Sequence, residues 1–219
     1  MHRARHRRIV LALVNCAVLF VSCVALAQEV VDRIVAKVEN DIILLSEVRD
    51  LGSYQILVDG KPESDAQILD RLIDQWIVRN EADASRFHLP SDTEVSSAVE
   101  RLRKSFSSPE EYESRKKESG LTDTEIRAVM SRQLYLSNYL ESRFRPSIQI
   151  DPKEIESFYQ SNIVARARAR GQEPPSLEAA RDAIQEALVQ LGINQEADRW
   201  LKESRGRLRI EKLLDKGSK

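Results

Sequence analysis

Histidine and cysteine decide much of the chemistry a small protein can do, and this chain of 219 residues holds three histidines and two cysteines. Cys16 and Cys23 both fall in the first 27 residues; beyond that point the chain has one histidine, His88, and no cysteine. A histidine just ahead of Pro90, between two helical segments, reads as a turn residue rather than a metal ligand or a proton shuttle. Carboxylates are abundant, but they stand at helix starts and on solvent faces, where the helix dipole favours them. The chain has no glycine-rich phosphate loop, no GxSxG elbow and no HExxH pair. Trp76 and Trp200 each sit on an apolar stripe, which assigns them to core packing. These residues predict no catalytic group, no metal site and no cofactor. They favour a binding or interaction protein over an enzyme.

One run invites another chemistry. Arg166, Arg168 and Arg170 alternate with alanine before Gly171 and the Pro174-Pro175 pair, as a nucleic-acid or heparin patch would. Charge balance argues against that. The chain carries 34 Lys+Arg against 35 Asp+Glu, and four of the basic residues (Arg3, Arg5, Arg7, Arg8) stand in the first 27 positions, which hold no acid. The remaining 192 residues have 30 basic and 35 acidic groups, a net charge of −5. A mildly acidic body does not suit a dedicated nucleic-acid binder. A solvated helix end running into a loop is the better reading of the arginines.

The basic start has its own logic. Residues 2–8 are basic and residues 9–26 are apolar apart from Asn15 and Ser22. Ala25-Leu26-Ala27 then supplies a small-x-small cleavage pattern, with Gln28 as the first mature residue. An uncleaved anchor is the rival, since eighteen residues lie near the lower limit for spanning a bilayer. A lipid-modified Cys23 is a second rival, and Phe20 fits it poorly. The expectation is a signal peptide over residues 1–27, a periplasmic body over 28–219, and no stable membrane insertion after cleavage.

The elements that would position any site announce themselves in order. Residues 30–38 alternate apolar and polar with many β-branched side chains, Glu39-Asn40-Asp41 is a turn cluster, and residues 42–45 are apolar again, which predicts a hairpin. Ser46 reads as the cap of a first helix. Capping boxes follow, each an N-cap side chain paired with an acid or amide three residues on. They are Ser64 with Gln67, Ser91 with Glu94, Ser108 with Glu111, Thr122 with Glu125, and Asp151 with Glu154. Ser176 restarts a helix carrying Leu177, Ala180, Ile184, Leu188 and Leu191 on one face. After Gly192 the apolar residues shift by about half a turn at roughly 100° per residue, so this helix either kinks there or meets two partners. Leu208 and Ile210 then read as a terminal strand, which would give a marginal hairpin the third strand it needs. The predicted class is mainly α with a small three-stranded sheet, closed by the C-terminal helix and strand.

One helix face hints at a site. After Thr122 the main stripe is Ile126, Val129, Met130, Leu134, Leu136, Leu140 and Phe144, while Tyr135 and Tyr139 project from the other side. Two-sided apolar character means a middle layer or a groove for a client chain. If it is a groove, Tyr112, Met130, Tyr135 and Tyr139 are its expected peptide-binding lining.

Three stretches bring a resemblance. VVDRIVAKVENDIILLSEV (residues 30–48) resembles the opening of the SurA family of periplasmic chaperones. IDPKEIESFYQSN (150–162) resembles the segment that precedes the parvulin domain of that family. PPSLEAARDAIQEAL and ADRWLKESRGRLRIEKL, within residues 174–213, resemble the helix and strand that follow it. The resemblance implies a chaperone core of three parts: an N-terminal module (28–162), a loop (163–175) and a C-terminal helix and strand (176–213).

The family's parvulin isomerase domain, of ordinary domain size, has no room in the eleven residues between Asn162 and Pro174, and its paired histidines are missing. The resemblance therefore implies an ATP-independent protein that binds unfolded outer-membrane β-barrel precursors or other extended polypeptides, without catalysis. A peptidyl-prolyl isomerase relative with residual or in-trans activity is one alternative. An assembly partner of a single envelope protein is the other.

Overall fold

A computed structural model of the chain describes residues 32–214. The expected signal segment, with Ala25, Ala27 and Gln28, lies outside the described residues, as do Val30 and Val31 of the first expected strand.

Strand β1 (Ile34–Val38) and strand β2 (Asp41–Leu44) form the hairpin, joined by the two-residue turn Glu39-Asn40. Glu39 takes φ 54°, a left-handed conformation that a side chain-bearing residue rarely adopts. It is braced from far away: its backbone N–H donates to the Arg209 carbonyl (3.0 Å), and its carboxylate accepts from the Arg209 N–H (2.6 Å). The β1–β2 register shifts between Ile34 and Ala36. That bulge turns Val35 and Ala36 inward together, which strict alternation would forbid. Strand β3 (Ile210–Lys212) pairs antiparallel with the far edge of β1, giving the sheet order β2-β1-β3. The third strand arrives as the sequence predicts, two residues late: Leu208 stands ahead of it and packs into the core instead.

The helices are α1 (Leu45–Asp59), α2 (Asp65–Ala84), α3 (Asp92–Lys104), α4 (Pro109–Ser119), α5 (Asp123–Phe144), α6 (Pro152–Phe158), α7 (Ala165–Ala169) and α8 (Leu177–Arg205). Four of the five predicted capping boxes form in full, at α2, α3, α5 and α6. At α4 the box is half made. Ser108 accepts from the Glu111 N–H, but the Glu111 carboxylate reaches one residue further back, to the Ser107 N–H. Helix α1 corrects the expected Ser46 cap. It follows β2 without a break, and Glu47 accepts from the Leu44 N–H at 2.8 Å. The predicted loop over 163–175 is also shorter than expected. A π-helical stretch (Tyr159–Val164) carries α6 into α7, so extended chain begins only after Gly171.

Among the described residues three clusters make the core. The largest joins Val35, Ala36, Val38 and Ile43 of the sheet to Ile68, Leu69, Ile73, Trp76 and Ile77 of α2, with Trp200 and Leu201 of α8 against them. The second sets Val78 and Ala82 of α2 against Tyr135 and Tyr139 of α5. The third joins Leu57 of α1, Tyr112 of α4 and Ile126 of α5. Helix α8 does not break at Gly192. Along its length it meets α6, α5 and α2, and Gln190, ahead of Gly192, already donates to Glu141 of α5 at 3.0 Å, so the half-turn shift goes with several partners rather than with a break. Gly192 has a different use. A Cβ there would lie 3.0 Å from Ile148 Cγ2, so the missing side chain lets the turn after α5 approach the helix.

Candidate functional site

Helices α1, α2 and α5 and strand β2 leave a cavity of about 280 Å³ between them. Its apolar wall comes from Ile42 and Ile43 of β2, Leu51 of α1, Leu72 and Trp76 of α2, and Val129, Tyr135 and Leu136 of α5. Each reaches the space for a local reason. Trp76 lies on the buried stripe of α2 and stays fixed because its indole N–H donates to Asp41 Oδ2 at 2.8 Å, satisfying the one polar atom of the ring. Ile42 is 49% exposed at the mouth. It lies on an edge strand, whose outward backbone groups have no strand partner among the described residues.

The rim is polar, and its charges are sorted by element. Helix α1 supplies Glu47 and Asp50, helix α2 supplies Gln75 and Arg79, and helix α5 supplies Arg132 and Gln133. Glu47 is committed to the Leu44 N–H. A pocket this small, apolar inside and polar at the edge, suits one or two apolar side chains of a larger ligand. It has no nucleophile paired with a base. Among the described residues no three His, Cys, Asp or Glu side chains gather as a metal site. His88 is exposed in the turn after α2.

The expected peptide-binding residues fare differently. Tyr112 is 3% exposed, Tyr135 7% and Tyr139 6%. The tyrosines are therefore interior, as the middle-layer reading of α5 requires, and they do not stand in an open groove. Two packed helices hold Tyr135 and Tyr139, and Phe87 meets both rings, at 5.9 and 5.6 Å between centroids. The Tyr135 hydroxyl donates to Asp83 at 2.6 Å; burial, reinforced by that bond, pushes its pKa up to about 12. Tyr139 accepts from the Arg143 guanidinium at 2.9 Å. Tyr112 packs edge-on to Phe106 in the third cluster. Met130 is half-buried in that cluster, and its sulfur accepts from the Tyr54 hydroxyl.

Of the four expected residues, Tyr135 alone borders the cavity. Asp50, Arg79 and Arg132 carry no common signal in the sequence because each stands on a different helix, and Ile42 reads there only as part of a strand. The single sequence signal for Ile42 was two adjacent β-branched residues in so short a strand. The arginines of α7 are exposed and lie on other elements than the cavity.

No protein-family model matches this chain. Among curated proteins it is similar to the chaperone SurA of Hahella chejuensis, with 25% identity over 177 residues, 76% of this chain and 41% of that protein. It is similar to the chaperone SurA of Pseudomonas aeruginosa, with 28% identity over 141 residues, 60% of this chain and 34% of that one. The chaperone SurA of Pseudomonas syringae pv. syringae gives 27% identity over 158 residues, 67% and 36% of the two chains. The chain thus spans well under half the length of the curated relatives it matches. Its similarity to SurA chaperones is distant but runs through most of its own length.

Proposed function

We propose that this protein is a chaperone-like binder of unfolded or extended polypeptides, acting in the periplasm without ATP and without isomerase chemistry. Outer-membrane β-barrel precursors are its proposed clients. The observation that carries this reading is the cavity beside β2: an apolar wall open at Ile42, on a free strand edge, with a polar rim. An extended client can set a side chain in such a space and run its backbone along the edge, a recurring mode of peptide recognition. The similarity to SurA chaperones supports the same reading. A cavity of about 280 Å³ holds little of any client, so affinity is modest and selectivity loose.

The test is suppression of aggregation of an unfolded β-barrel protein at stoichiometric ratio. Ile42→Asp places a charge at the mouth on a half-exposed position, so the fold should persist while protection falls. Full protection by a folded Ile42→Asp variant would remove this cavity from the mechanism. Turnover of a proline peptide above background would restore the isomerase reading.

A further inference from the structure

The rim of the cavity is electrically polarised, and no ion pair among the described residues uses that polarity. Asp50 stands on the α1 side, Arg79 and Arg132 on the α2 and α5 side, and all three are exposed. Ion pairs are common elsewhere on the surface, at Arg71–Glu63, Arg127–Asp92 and Arg145–Glu186 for example. None of those among the described residues engages Asp50, Arg79 or Arg132. Unpaired charges around an apolar hole leave the hole accessible, and they also select what enters it. A like charge brought against them raises the energy of a wrong partner.

We propose that the preferred occupant is an extended polypeptide segment whose apolar anchor residue is flanked by a basic residue on one side and an acidic residue on the other. The basic flank meets Asp50, the anchor lies against Trp76 and Leu136, and the acidic flank meets Arg79 and Arg132. This rests on the reading of the cavity as a polypeptide site and adds a sequence rule to it. The rule is set by charge order, so it tolerates many anchors. Chains carrying the same sign on both flanks are disfavoured on one wall whichever way they run.

The experiment uses the full protein and three fluorescent ten-residue peptides that share one central phenylalanine. One has a lysine and a glutamate as flanks, one has two lysines, and one has two glutamates. Affinities come from anisotropy at low and at physiological salt. The mixed peptide should bind about tenfold more tightly than the two-lysine peptide at low salt, with the gap narrowing as salt rises. The double variant Arg79→Glu/Arg132→Glu should reverse the order in favour of the two-lysine peptide, and Asp50→Lys should favour the two-glutamate peptide.

All three positions are exposed, and melting curves verify the fold of each variant. The salt dependence of the native protein provides a readout that needs no variant. Equal affinity for the three peptides, still lost in Ile42→Asp, would overturn the charge rule and leave the polypeptide site standing. Failure of every peptide to bind would overturn both. Concentration-dependent self-association that competes with the peptides would assign the cavity to a second copy of this chain and overturn the rule as well.

Discussion

Tyr112 is a side chain with a conflict built into it. Its ring is buried in the third cluster with the Arg103 guanidinium over it, 5.5 Å from the centroid. Yet its buried hydroxyl makes no hydrogen bond of good geometry among the described residues; Arg103 is a charged neighbour there and meets it only at long range. An unsatisfied buried hydroxyl costs on the order of 1–3 kcal/mol. Tyr112→Phe should therefore hold or raise stability by about 1 kcal/mol, whereas Tyr112→Ala should lower it by roughly 3–5 kcal/mol through the cavity it leaves. Chemical denaturation of the pair checks this, and a Phe variant that unfolds as readily as the Ala variant refutes it. Tyr135→Ala and Tyr139→Ala should also cost about 3–5 kcal/mol each, because both rings fill the space between α2 and α5. These tyrosines show where the sequence misleads. The periodicity of α5 assigns its core face to Leu134, Leu136, Leu140 and Phe144. All four are only half-buried, and in this half of the helix the buried positions are the tyrosines. A stripe marks the core face of a helix that packs on one side. Helix α5 has α2, α3 and α8 around it, and no single period reports three neighbours.

At the scale of elements, local chemistry was the legible part. Capping residues act within three positions of each other, so Ser64, Ser91, Thr122 and Asp151 could be read without knowing what the helices touch. Ser91→Ala should lower stability by about 1 kcal/mol, an effect visible in thermal melts. What Gly192 does could not be read, because its partner Ile148 is far away in the sequence and on another element. Their contact makes a specific prediction. Gly192→Ala gains helix propensity of about 1 kcal/mol, but in the native background the new Cβ meets Ile148 at 3.0 Å and the gain should be lost. In an Ile148→Ala background the same substitution should be stabilising. Additive effects in that double-mutant cycle would show that the two residues do not press on each other. The cavity is illegible for the same reason, since its apolar wall takes one to three side chains from each of four elements.

The whole molecule is closed by a charged clasp. Arg205 at the end of α8 donates to Asp74 and to Asp70 on α2, and Lys212 of β3 donates to Asp70 at 2.7 Å. Burial alone would raise the Asp70 pKa, but the hydrogen bonds from Arg205 and Lys212 outweigh it and hold the carboxyl below its ordinary value. A carboxylate depressed in the folded state adds stability above its unfolded pKa, and that contribution disappears as pH falls through the folded one. Glu63, held at about 2 by hydrogen bonds from Arg71 and Gln55, behaves in the same sense at the α1–α2 corner, between its ordinary 4.5 and about 2. The melting temperature should therefore drop on acidification below the ordinary carboxylate range, and Asp70→Asn should flatten part of that drop. The Asp70 share is no more than about 1 kcal/mol, because the pair is partly solvated. Deleting residues after Ser204 removes both clasp and strand; the helices should remain by circular dichroism while melting falls. An unchanged melting temperature would show that β3 is not integral.

The sheet also sets the order in which the chain can finish folding. Strands β1 and β2 are neighbours and can pair as soon as both exist, within microseconds for a typical hairpin. The other edge of β1 waits for residues 210–212, and the Glu39 turn waits for Arg209, a partner 170 positions away. Closing so long a loop is entropically slow compared with making the hairpin. During synthesis, β1 therefore spends an interval with Val35, Ala36 and Val38 partly uncovered and one edge unpaired. In pulsed hydrogen exchange the amides that β1 shares with β3 should gain protection after those it shares with β2. A protein read as a holder of unfinished chains would itself pass through a stage that needs holding.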